Sequence, residues 1–255
     1  MRNIRLTLEY EGSNYSGWQV QKKGLTIQRI IEDAVVRITG EKSRVTGAGR
    51  TDAGVHALQQ VAAFKTLSHL SIDVLKQALN ANLPEDIRVI DANEMPLNFH
   101  PRYSAKGKVY FYLISQERYC PVFLRRYSWQ IPYALNFNAM REAATYLIGE
   151  HDFKSFQGSG CSSKTTVRKA ITIELSEHSS LEFMTVRLDV PLIKIRVEGD
   201  SFLRHMIRNI VGTLVEVGRG KLTPLRVKEI IGLRDRRLSG PTAPAQGLFL
   251  EKIIY

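Results

Sequence analysis

In the first part of the chain, segments with apolar residues at every second position alternate with segments whose apolar residues recur at helical spacing. This order limits the folds that the chain can adopt. Apolar residues occupy every second position from Asn3 to Tyr10, which predicts a strand with one buried face. After Thr26 the apolar residues recur at helical spacing as far as Ile38, and Gly40 follows. Thr26 is therefore the predicted N-cap of a first helix, and Gly40 is its predicted end.

The following segments continue the alternation and complete one unit. Strands are predicted for Gln60–Thr66 and Ile87–Ile90, and Ser71 is the predicted cap of a helix between them. Asn82–Pro84 ends that helix, because proline cannot continue it. If Lys42–Val45 is also extended, the order is βαββαβ, which is a ferredoxin-like unit.

The second half of the chain follows a similar order. Its predicted strands are Lys108–Ser115, Thr166–Ser176, Leu188–Glu198 and Leu248–Ile254. Its predicted helices are Asn138–Gly149, Leu203–Val217 and a short helix after Thr223-Pro224. The pattern predicts an α+β protein with two pseudo-repeated ferredoxin-like halves, residues 1–104 and 105–255, which share little sequence identity.

The segment GAGRTDAGVH, Gly47–His56, differs in composition from the predicted strands and helices. It places one carboxylate, Asp52, between Arg50 and His56, and surrounds it with small residues. Glycine weakens a helix or strand by about 0.5–1 kcal/mol relative to alanine, but it lets a backbone approach another group closely. Asp52 is thus a candidate reactive group. The alternative is a turn in which Thr51 and Asp52 cap the next segment.

The charge of the chain indicates a polyanionic partner. Thirty-six Lys and Arg stand against 25 Asp and Glu, which gives a net charge of +11 and a pI of about 9.7. Nucleic acid is the commonest partner of this kind, although the excess charge could also serve solubility. Basic residues adjoin aromatic ones at Arg102-Tyr103, Lys106–Tyr110 and Arg125–Tyr127. Arg234–Arg237 is a further basic cluster, and it contains no aromatic residue. Positive side chains can bind phosphates, and aromatic rings beside them can stack on bases. This combination favours RNA or single-stranded nucleic acid as the partner.

Two tyrosines share one face of the strand predicted for Lys108–Ser115. Tyr110 and Tyr112 are two residues apart, and a half-buried strand commonly carries such tyrosines in its core. Tyr110 also lies between basic residues, because Lys106 and Lys108 precede it. This context makes Tyr110 a candidate for packing its ring over a nucleotide base.

Two arginines are four residues apart in the segment predicted as the helix Leu203–Val217. At about 100° per residue, Arg208 lies roughly 130° from the centre of the apolar stripe, near the edge of the buried face. An arginine there usually needs an anionic partner, and Asp52 is the most suggestive one. The alternative is that Arg208 faces solvent. His205, beside Arg204, either faces RNA or packs.

Several other classes of protein lack support in the sequence. Two cysteines, Cys120 and Cys161, are too few for a disulfide framework or a cysteine zinc site, which favours free thiols and a cytosolic location. The absence of a run of about 18 apolar residues and of an apolar leader predicts no membrane helix and no signal peptide. Nucleotide-binding glycine loops, a zinc HExxH motif and a serine nucleophile elbow are also missing from the sequence.

Beyond these patterns, the chain resembles the TruA-type tRNA pseudouridine synthases. The resemblance begins with GRTDAGVHA at Gly49–Ala57, which is similar to their catalytic motif, and extends over nearly the whole chain. The other similar blocks are EYEGSNYSGWQ at Glu9–Gln19, NANLPEDI at Asn80–Ile87, FHPRYSAKGKVYFY at Phe99–Tyr112, HDFKSF at His151–Phe156, FLRHMIRNIVGTL at Phe202–Leu214 and GPTAPAQGLFL at Gly240–Leu250. The chain departs from the family at Lys164–Arg168, where KTTVR replaces the usual Arg-Thr-Pro-x-Arg.

The resemblance implies a reaction and a fold. The family cuts the C1′–N1 bond of a tRNA uridine, rotates the base and rejoins it through C5. Neither net redox chemistry nor hydrolysis occurs, so no cofactor, metal or nucleotide is implied. The resemblance further implies a continuous mixed or antiparallel sheet with helices on one face and an active-site cleft between the halves.

The resemblance also implies roles for individual residues. Asp52 matches the catalytic aspartate, which attacks C1′ or C6 of the nucleotide or assists a glycal route. Tyr110 matches the tyrosine that stacks on the target base and can move a proton, and Arg208 matches the arginine that pairs with the aspartate. Arg50 matches an arginine that enters the space left by the flipped nucleotide. Further tRNA contacts are expected from His56, Arg168, Arg204 and His205.

The family implies partners as well. Its substrates are uridines of the tRNA anticodon stem-loop, at positions 38, 39 or 40, and its subunits form a homodimer that holds one tRNA. Two other functions remain open from the residues alone. A ferredoxin-like repeat could bind RNA without chemistry, or Asp52 could serve a hydrolase or lyase as an ordinary acid or base.

Overall fold

The computed structural model of this protein describes residues 1–119, 121–161 and 163–255. The chain forms two compact units, which we call the N-terminal unit and the C-terminal unit. The N-terminal unit comprises Met1–Lys108 and Phe249–Tyr255, and the C-terminal unit comprises Val109–Leu248. The closing strand therefore groups with the first unit, whereas the sequence assigns it to the second half. Whether 1–104 and 105–255 are separate domains stays a prediction.

Helices and strands alternate along the described residues, which confirms the predicted α+β class. The strands are β1 (Arg2–Tyr10), β2 (Thr46–Gly47), β3 (His56–Thr66), β4 (Ile87–Met95), β5 (Gly107–Ser115), β6 (Trp129–Gln130), β7 (Gly149–Asp152), β8 (Val167–Phe183), β9 (Val186–Gly199) and β10 (Leu248–Ile254). The α-helices are α1 (Ile27–Thr39), α2 (Ile72–Asn82), α3 (Phe137–Thr145), α4 (Met206–Gly218) and α5 (Pro224–Leu233). Short 3₁₀ helices lie at Val122–Leu124, Phe153–Phe156, Arg236–Leu238 and Ala245–Gly247.

The N-terminal unit has the predicted βαββαβ order. Strand β1 is central and pairs antiparallel with β3 and β4, so that Leu6 faces Ala62 on one side and Ala92 on the other. The other edge of β3 is shared by β2, antiparallel, and β10, parallel. The predicted strand at Lys42–Val45 is wrong. The paired residues are only Thr46 and Gly47, which follow it directly.

One face of this sheet is covered by apolar side chains at the spacing that the sequence predicts. Leu6 and Leu8 of β1 are fully buried, as are Ile31 of α1 and Leu75 and Leu79 of α2, each exposed by 1% or less. Fully burying a side chain of this kind stabilises the fold by about 1.5–3 kcal/mol. The helices are therefore held by their apolar stripes.

The helix ends follow the predicted residues, with one difference in mechanism. Ser71 accepts a hydrogen bond from Val74 N at 3.3 Å, as a helix N-cap does. Gly40 ends α1 with φ of 72°, a left-handed conformation that glycine adopts without strain. Thr26 occupies the N-cap of α1, but its side chain makes no capping hydrogen bond.

The C-terminal unit contains the strand order β5-β9-β8-β7, with β6 paired parallel to β5. Strands β8 and β9 form a long antiparallel hairpin that turns at Met184 and Thr185, both with positive φ. Strand β7 then pairs antiparallel with β8. The order β5-β9-β8 matches part of a ferredoxin-like unit, but the predicted full repeat is not confirmed.

Two predicted helices of this unit have different bounds in the structure. The helix predicted for Asn138–Gly149 ends at Thr145, because Gly149 takes φ of 111° and begins β7. The helix predicted from Leu203 begins at Met206, because His205 has a left-handed conformation with φ of 59°. Arg204 consequently lies outside the helix.

The structure also bears on the predictions about thiols and membranes. Cys161 is a free thiol, whereas Cys120 lies outside the described residues. Across the described ranges, every helix is too short or too polar to cross a lipid bilayer.

The core of the N-terminal unit predicts a large difference between two positions of α2. Leu79→Ala should lower the free energy of unfolding by about 2–5 kcal/mol, because it leaves a cavity in a fully buried site. Val74→Ala is the matched control, since Val74 is 46% exposed and should change stability by less than about 0.5 kcal/mol. Urea unfolding of both variants measures this, and equal losses would contradict the packing described above.

Candidate active site

The loop that carries Asp52 is a tight turn in the N-terminal unit. Val55 N donates to Asp52 O at 3.2 Å, and Gly54 completes the turn with φ of 78°. The next element is strand β3, so neither Thr51 nor Asp52 caps a helix here. Asp52 is half-buried in this turn, and Ala53 beside it is exposed.

A buried polar network lies beneath this turn. The hydroxyls of Tyr10 and Thr51 are hydrogen-bonded at 2.8 Å. Gln60 Nε2 donates to Gly49 O at 3.0 Å and also approaches the Tyr10 hydroxyl at 3.4 Å. All three side chains are 6% exposed or less. Because buried polar groups need partners, this network holds the backbone around Asp52 in one position.

Close backbone contacts hold the turn from its sides. A β-carbon at Gly12 would lie 2.0 Å from Val55 O, and one at Gly47 would lie 2.6 Å from the ring of Trp18. Trp18 N also donates to Thr51 O at 3.1 Å. Glycine is thus required at both positions for close approach, and the composition of the loop Gly47–His56 predicts this for Gly47.

The two residues that flank Asp52 differ in exposure. Arg50 is exposed, and its Nε donates to Gln19 Oε1 at 3.1 Å. His56 is only 2% exposed and stacks on Phe249 with ring centroids 4.7 Å apart. Its Nδ1 accepts the N–H of Gly12 at 3.0 Å, and Glu11 Oε1 lies 3.5 Å from the same nitrogen. In the described contacts, His56 therefore supports the loop. Its predicted contact with tRNA stays a prediction.

The C-terminal unit holds the two other predicted catalytic residues. Tyr110 lies on β5, is 6% exposed, and meets the ring of Phe202 edge-on at 5.5 Å. Tyr112 is on the same face and fully buried, with its hydroxyl donating to Pro244 O at 2.8 Å. Tyr112 is thus the structural tyrosine of the pair.

Arg208 lies in the first turn of α4 and is half-buried, at the edge of the apolar face as predicted. Its Nε donates to Ala243 O at 2.7 Å, and Ala243 N donates to Arg208 O at 3.1 Å. This reciprocal pair of hydrogen bonds fixes the side chain to the segment 239–243.

The remaining predicted tRNA contacts gather around the loop 157–165 of the C-terminal unit, of which residues 157–161 and 163–165 are described. Arg204 Nη1 donates to Ser159 O at 3.1 Å, and Arg168 Nη1 donates to Thr165 O at 3.1 Å. The His205 ring lies against Gly158, where a β-carbon would be 2.6 Å from its Nδ1. The structure thus brings these side chains to a common loop, and their RNA contacts stay predictions.

Tyr10, Gln60 and Ala243 also take part in positioning the candidate residues, although the sequence does not predict this. Tyr10 resembles the last apolar residue of a strand, and Ala243 acts through its backbone. The sequence gives only a weak indication for Gln60, which is a polar residue at the start of a predicted strand of mostly apolar residues. Among the described residues, no group of three or more His, Cys, Asp or Glu is arranged to hold a metal ion.

Comparison with known proteins gives a consistent result. Residues 7–104 and 143–255 match the model of a family described as tRNA pseudouridine synthase. The tRNA pseudouridine synthase A of Thermoanaerobacter sp. (strain X514) is 45% identical over 257 residues, which span 100% of both chains. That of Geobacter sulfurreducens is 46% identical over 256 residues, again over 100% of both chains.

A search of solved structures gives a crystal structure of a Cbf5-Nop10-Gar1 complex. It is 14% identical and covers 84% of this chain and 54% of that chain, with a TM-score of 0.29. This similarity is too low to carry an argument. The matched family ranges include Asp52 and Arg208, whereas Tyr110 falls between them.

The network beneath the Asp52 turn predicts a pH-dependent effect of Tyr10→Phe. Burial raises the pKa of Tyr10 to about 12, although its hydrogen bonds with Thr51 and Gln60 act in the opposite direction. Below pH 10 the tyrosine is neutral in both the folded and the unfolded state. Between pH 10 and 12 only the unfolded state ionises, so the wild type loses up to about 3 kcal/mol of stability that the variant keeps.

We therefore expect Tyr10→Phe to be less stable than wild type by about 1 kcal/mol at pH 8, because one buried hydrogen bond is lost. The difference should shrink as the pH rises above 10 and then change sign before pH 12, because the wild type loses up to about 3 kcal/mol there, which exceeds the loss of about 1 kcal/mol in the variant. Urea unfolding at several pH values measures it. Tyr103→Phe is the control, since Tyr103 is 78% exposed. A difference that is constant over this pH range would contradict the prediction.

Proposed function

We propose a specific reaction for this chain, which belongs to the tRNA pseudouridine synthase family and is thus an isomerase. The proposed reaction converts uridine to pseudouridine in the anticodon stem-loop of tRNA, at positions 38, 39 or 40, with Asp52 as the nucleophile. Family membership favours this reaction over RNA binding without chemistry and over hydrolysis.

The observation that carries the proposal is the way in which Asp52 is presented. Asp52 is half-buried in a turn whose backbone is held through Thr51 on one side and through Val55 on the other. The adjacent Ala53 and Gly54 add almost no bulk. A nucleophile must reach a sugar or base carbon at about 3–3.5 Å in a defined direction. A rigid turn of small residues meets both requirements.

The chemistry needs only the substrate and side chains. The C1′–N1 bond breaks, the uracil rotates, and a C1′–C5 bond forms. The hydrogen on C5 leaves as a proton and N1 takes up a proton, so that the product is an isomer of the substrate. Asp52 acts by attack on C1′ or on C6, or by assisting a glycal route, and it is regenerated when the new bond forms. Atoms and electrons balance without an oxidant, a reductant or water, so we propose that the reaction uses no cofactor.

We assign supporting roles to Tyr110 and Arg208. The target base must leave its stack, which costs a few kcal/mol. Stacking on an aromatic ring returns about 1–3 kcal/mol, and Tyr110 is the proposed ring. Arg208 is the proposed partner that keeps the Asp52 carboxylate ionised. Its Nε bond to Ala243 O defines the direction in which the guanidinium projects from α4.

The proposed substrate agrees with the charge of the chain. A tRNA presents many phosphates, and the net charge of +11 favours its binding. Arg50 is the proposed side chain that enters the space of the flipped nucleotide, because it is exposed beside Asp52. We propose Arg168, Arg204 and His205 as further tRNA contacts, which would share the loop 157–165. We also propose that the chain acts in the cytoplasm as a homodimer that holds one tRNA.

The first test of the proposal is tritium release from tRNA that carries 5-tritiated uridine. Asp52→Asn should lower the rate by about 10³-fold or more, because the amide is not nucleophilic. Binding of tRNA should stay within about threefold of wild type. Asp73→Asn, an exposed aspartate in the first turn of α2, is the control and should keep full activity. A wild type that releases no tritium would exclude the reaction, and a fully active Asp52→Asn would exclude the site.

A second variant separates binding from turnover. Tyr110→Phe keeps the ring for stacking and removes the hydroxyl that can move a proton. We expect tRNA affinity close to wild type and a loss of kcat of about 10²-fold or more, the usual range for a general acid or base. Filter binding and single-turnover rates measure the two quantities. Weaker binding with an unchanged rate would instead assign Tyr110 to stacking alone.

A further inference from the structure

The direction of the Arg208 side chain depends on a segment that is distant in sequence. Arg208 Nε donates to Ala243 O at 2.7 Å, and Ala243 N donates back to Arg208 O at 3.1 Å. A shift of Ala243 would therefore move the guanidinium of Arg208. Whatever holds the segment 239–243 also controls where this arginine points.

Part of that segment is held by direct packing on α4. A β-carbon at Gly212 would lie 1.7 Å from Pro241 O, and one at Gly240 would lie 2.6 Å from Gly212 O. Gly240 N also donates to Thr213 Oγ1 at 2.9 Å. These contacts hold the first part of the segment against the middle of the helix, one turn beyond Arg208.

A single guanidinium, that of Arg236, bonds to the segment at several points. Its Nη1 donates to Ser239 Oγ at 2.8 Å and to Gly240 O at 2.9 Å. Its Nη2 donates to Thr242 Oγ1 at 3.1 Å and to Asn209 Oδ1 at 3.0 Å. The same side chain thus connects both parts of the segment with the residue that follows Arg208 on α4.

Asn209 is itself held firmly. It is fully buried, its Nδ2 donates to Phe156 O at 2.7 Å, and its Oδ1 also accepts a hydrogen bond from Thr242 Oγ1 at 2.7 Å. Arg236 and Thr242 therefore share one acceptor on the helix. A network of this kind has one arrangement in which all its buried groups are satisfied, and this favours a single position of the segment.

The surroundings of Arg236 are unusual for a charged residue. In the described parts of the chain its hydrogen-bond acceptors are all neutral oxygens, and burial lowers the pKa of its guanidinium. The neighbouring Arg237 differs, because it is exposed and pairs with the carboxylate of Asp235 at 2.6 Å. A half-buried cation without a carboxylate is costly, so its fork of donors serves placement of the backbone rather than charge pairing.

We propose that Arg236 is a positioning residue of the isomerisation, which holds the segment 239–243 where the Ala243 carbonyl orients Arg208. This inference rests on the proposed function, in which Arg208 acts on the catalytic carboxylate. It predicts that loss of Arg236 affects turnover more than tRNA binding, because an orienting residue acts on the geometry of the reacting groups.

The experiment measures kcat and KM for tritium release by the full chain. Arg236→Gln should lower kcat by about 10- to 100-fold, as expected when a reacting group is displaced by about 1 Å, and should leave KM within about threefold. Arg236→Lys should recover part of the loss, since it restores some donors but not the planar fork. Arg29→Gln is the control and should behave as wild type, because Arg29 is an exposed arginine of α1 that pairs with Asp33 at 3.1 Å. A thermal melt of each variant reports its folded fraction.

A double variant tests whether Arg236 acts through Arg208. In an Arg208→Lys background, adding Arg236→Gln should lower kcat by less than about twofold, because the two residues serve one function. Losses that multiply would overturn the inference, as would an unchanged kcat in Arg236→Gln alone. A kcat loss that merely follows the unfolded fraction would also overturn it.

Thr242→Val provides a milder change if Arg236→Gln folds poorly. It removes one acceptor of Arg236 and the donor to Asn209 while keeping the shape of the side chain. Its kcat should fall about fivefold with KM preserved, and a wild-type kcat would count against the inference. A wild type without tritium release would remove both the function and this inference. If Arg208→Lys lowers kcat while Arg236→Gln leaves it unchanged, this inference fails and the proposed function stands.

Discussion

The presentation of Asp52 depends on how closely two stretches of backbone approach each other at Gly12 and Val55. A β-carbon at Gly12 would lie 2.0 Å from the carbonyl oxygen of Val55, so no other residue fits without moving the turn. The same approach lets Gly12 N reach His56 Nδ1 at 3.0 Å, at the start of β3. The turn is thereby attached to the sheet of the N-terminal unit directly after Asp52.

Buried polar groups then restrict this region further, and they do so in both units. The hydroxyls of Tyr10 and Thr51 satisfy each other beneath the Asp52 turn. In the C-terminal unit, Asn209 joins Arg236 and Thr242 behind Arg208. Leaving any one of these groups buried without a hydrogen-bond partner would lower the stability of the fold by about 1–3 kcal/mol. The polar networks therefore act as positional constraints on the two candidate catalytic side chains, each within its own unit.

The secondary structure follows from the sequence where a local rule decides it. The alternation from Asn3 to Tyr10, the stop at Gly40 and the cap at Ser71 all appear in the structure as predicted. The errors arise where tertiary contacts compete with local preference. The strand expected at Lys42–Val45 is replaced by two paired residues after it, because pairing with β3 depends on register and not on propensity.

The start of α4 shows the same limit. Its apolar stripe continues back to Leu203, so periodicity extends the helix beyond its true beginning at Met206. The left-handed backbone of His205 precedes the first helical residue, and hydrophobic periodicity does not reveal such a conformation, which is uncommon outside glycine. Likewise, the helix predicted to reach Gly149 stops at Thr145, because the chain turns at residues 146–148 and begins β7, which pairs with β8, at Gly149.

The sequence by itself determined the α+β class, the small residues around Asp52, the basic charge and, through its motifs, the resemblance to a family of tRNA-modifying enzymes. These properties depend on residue type and on spacing along the chain, which are visible without a fold. Only the tertiary structure decided that Gln60 and Tyr10 lie under the turn, that His56 is buried, and that Arg236 bonds to the segment beside Arg208. These contacts join residues up to 50 positions apart through hydrogen bonds, whose partners depend on distance and direction in space rather than on any periodicity.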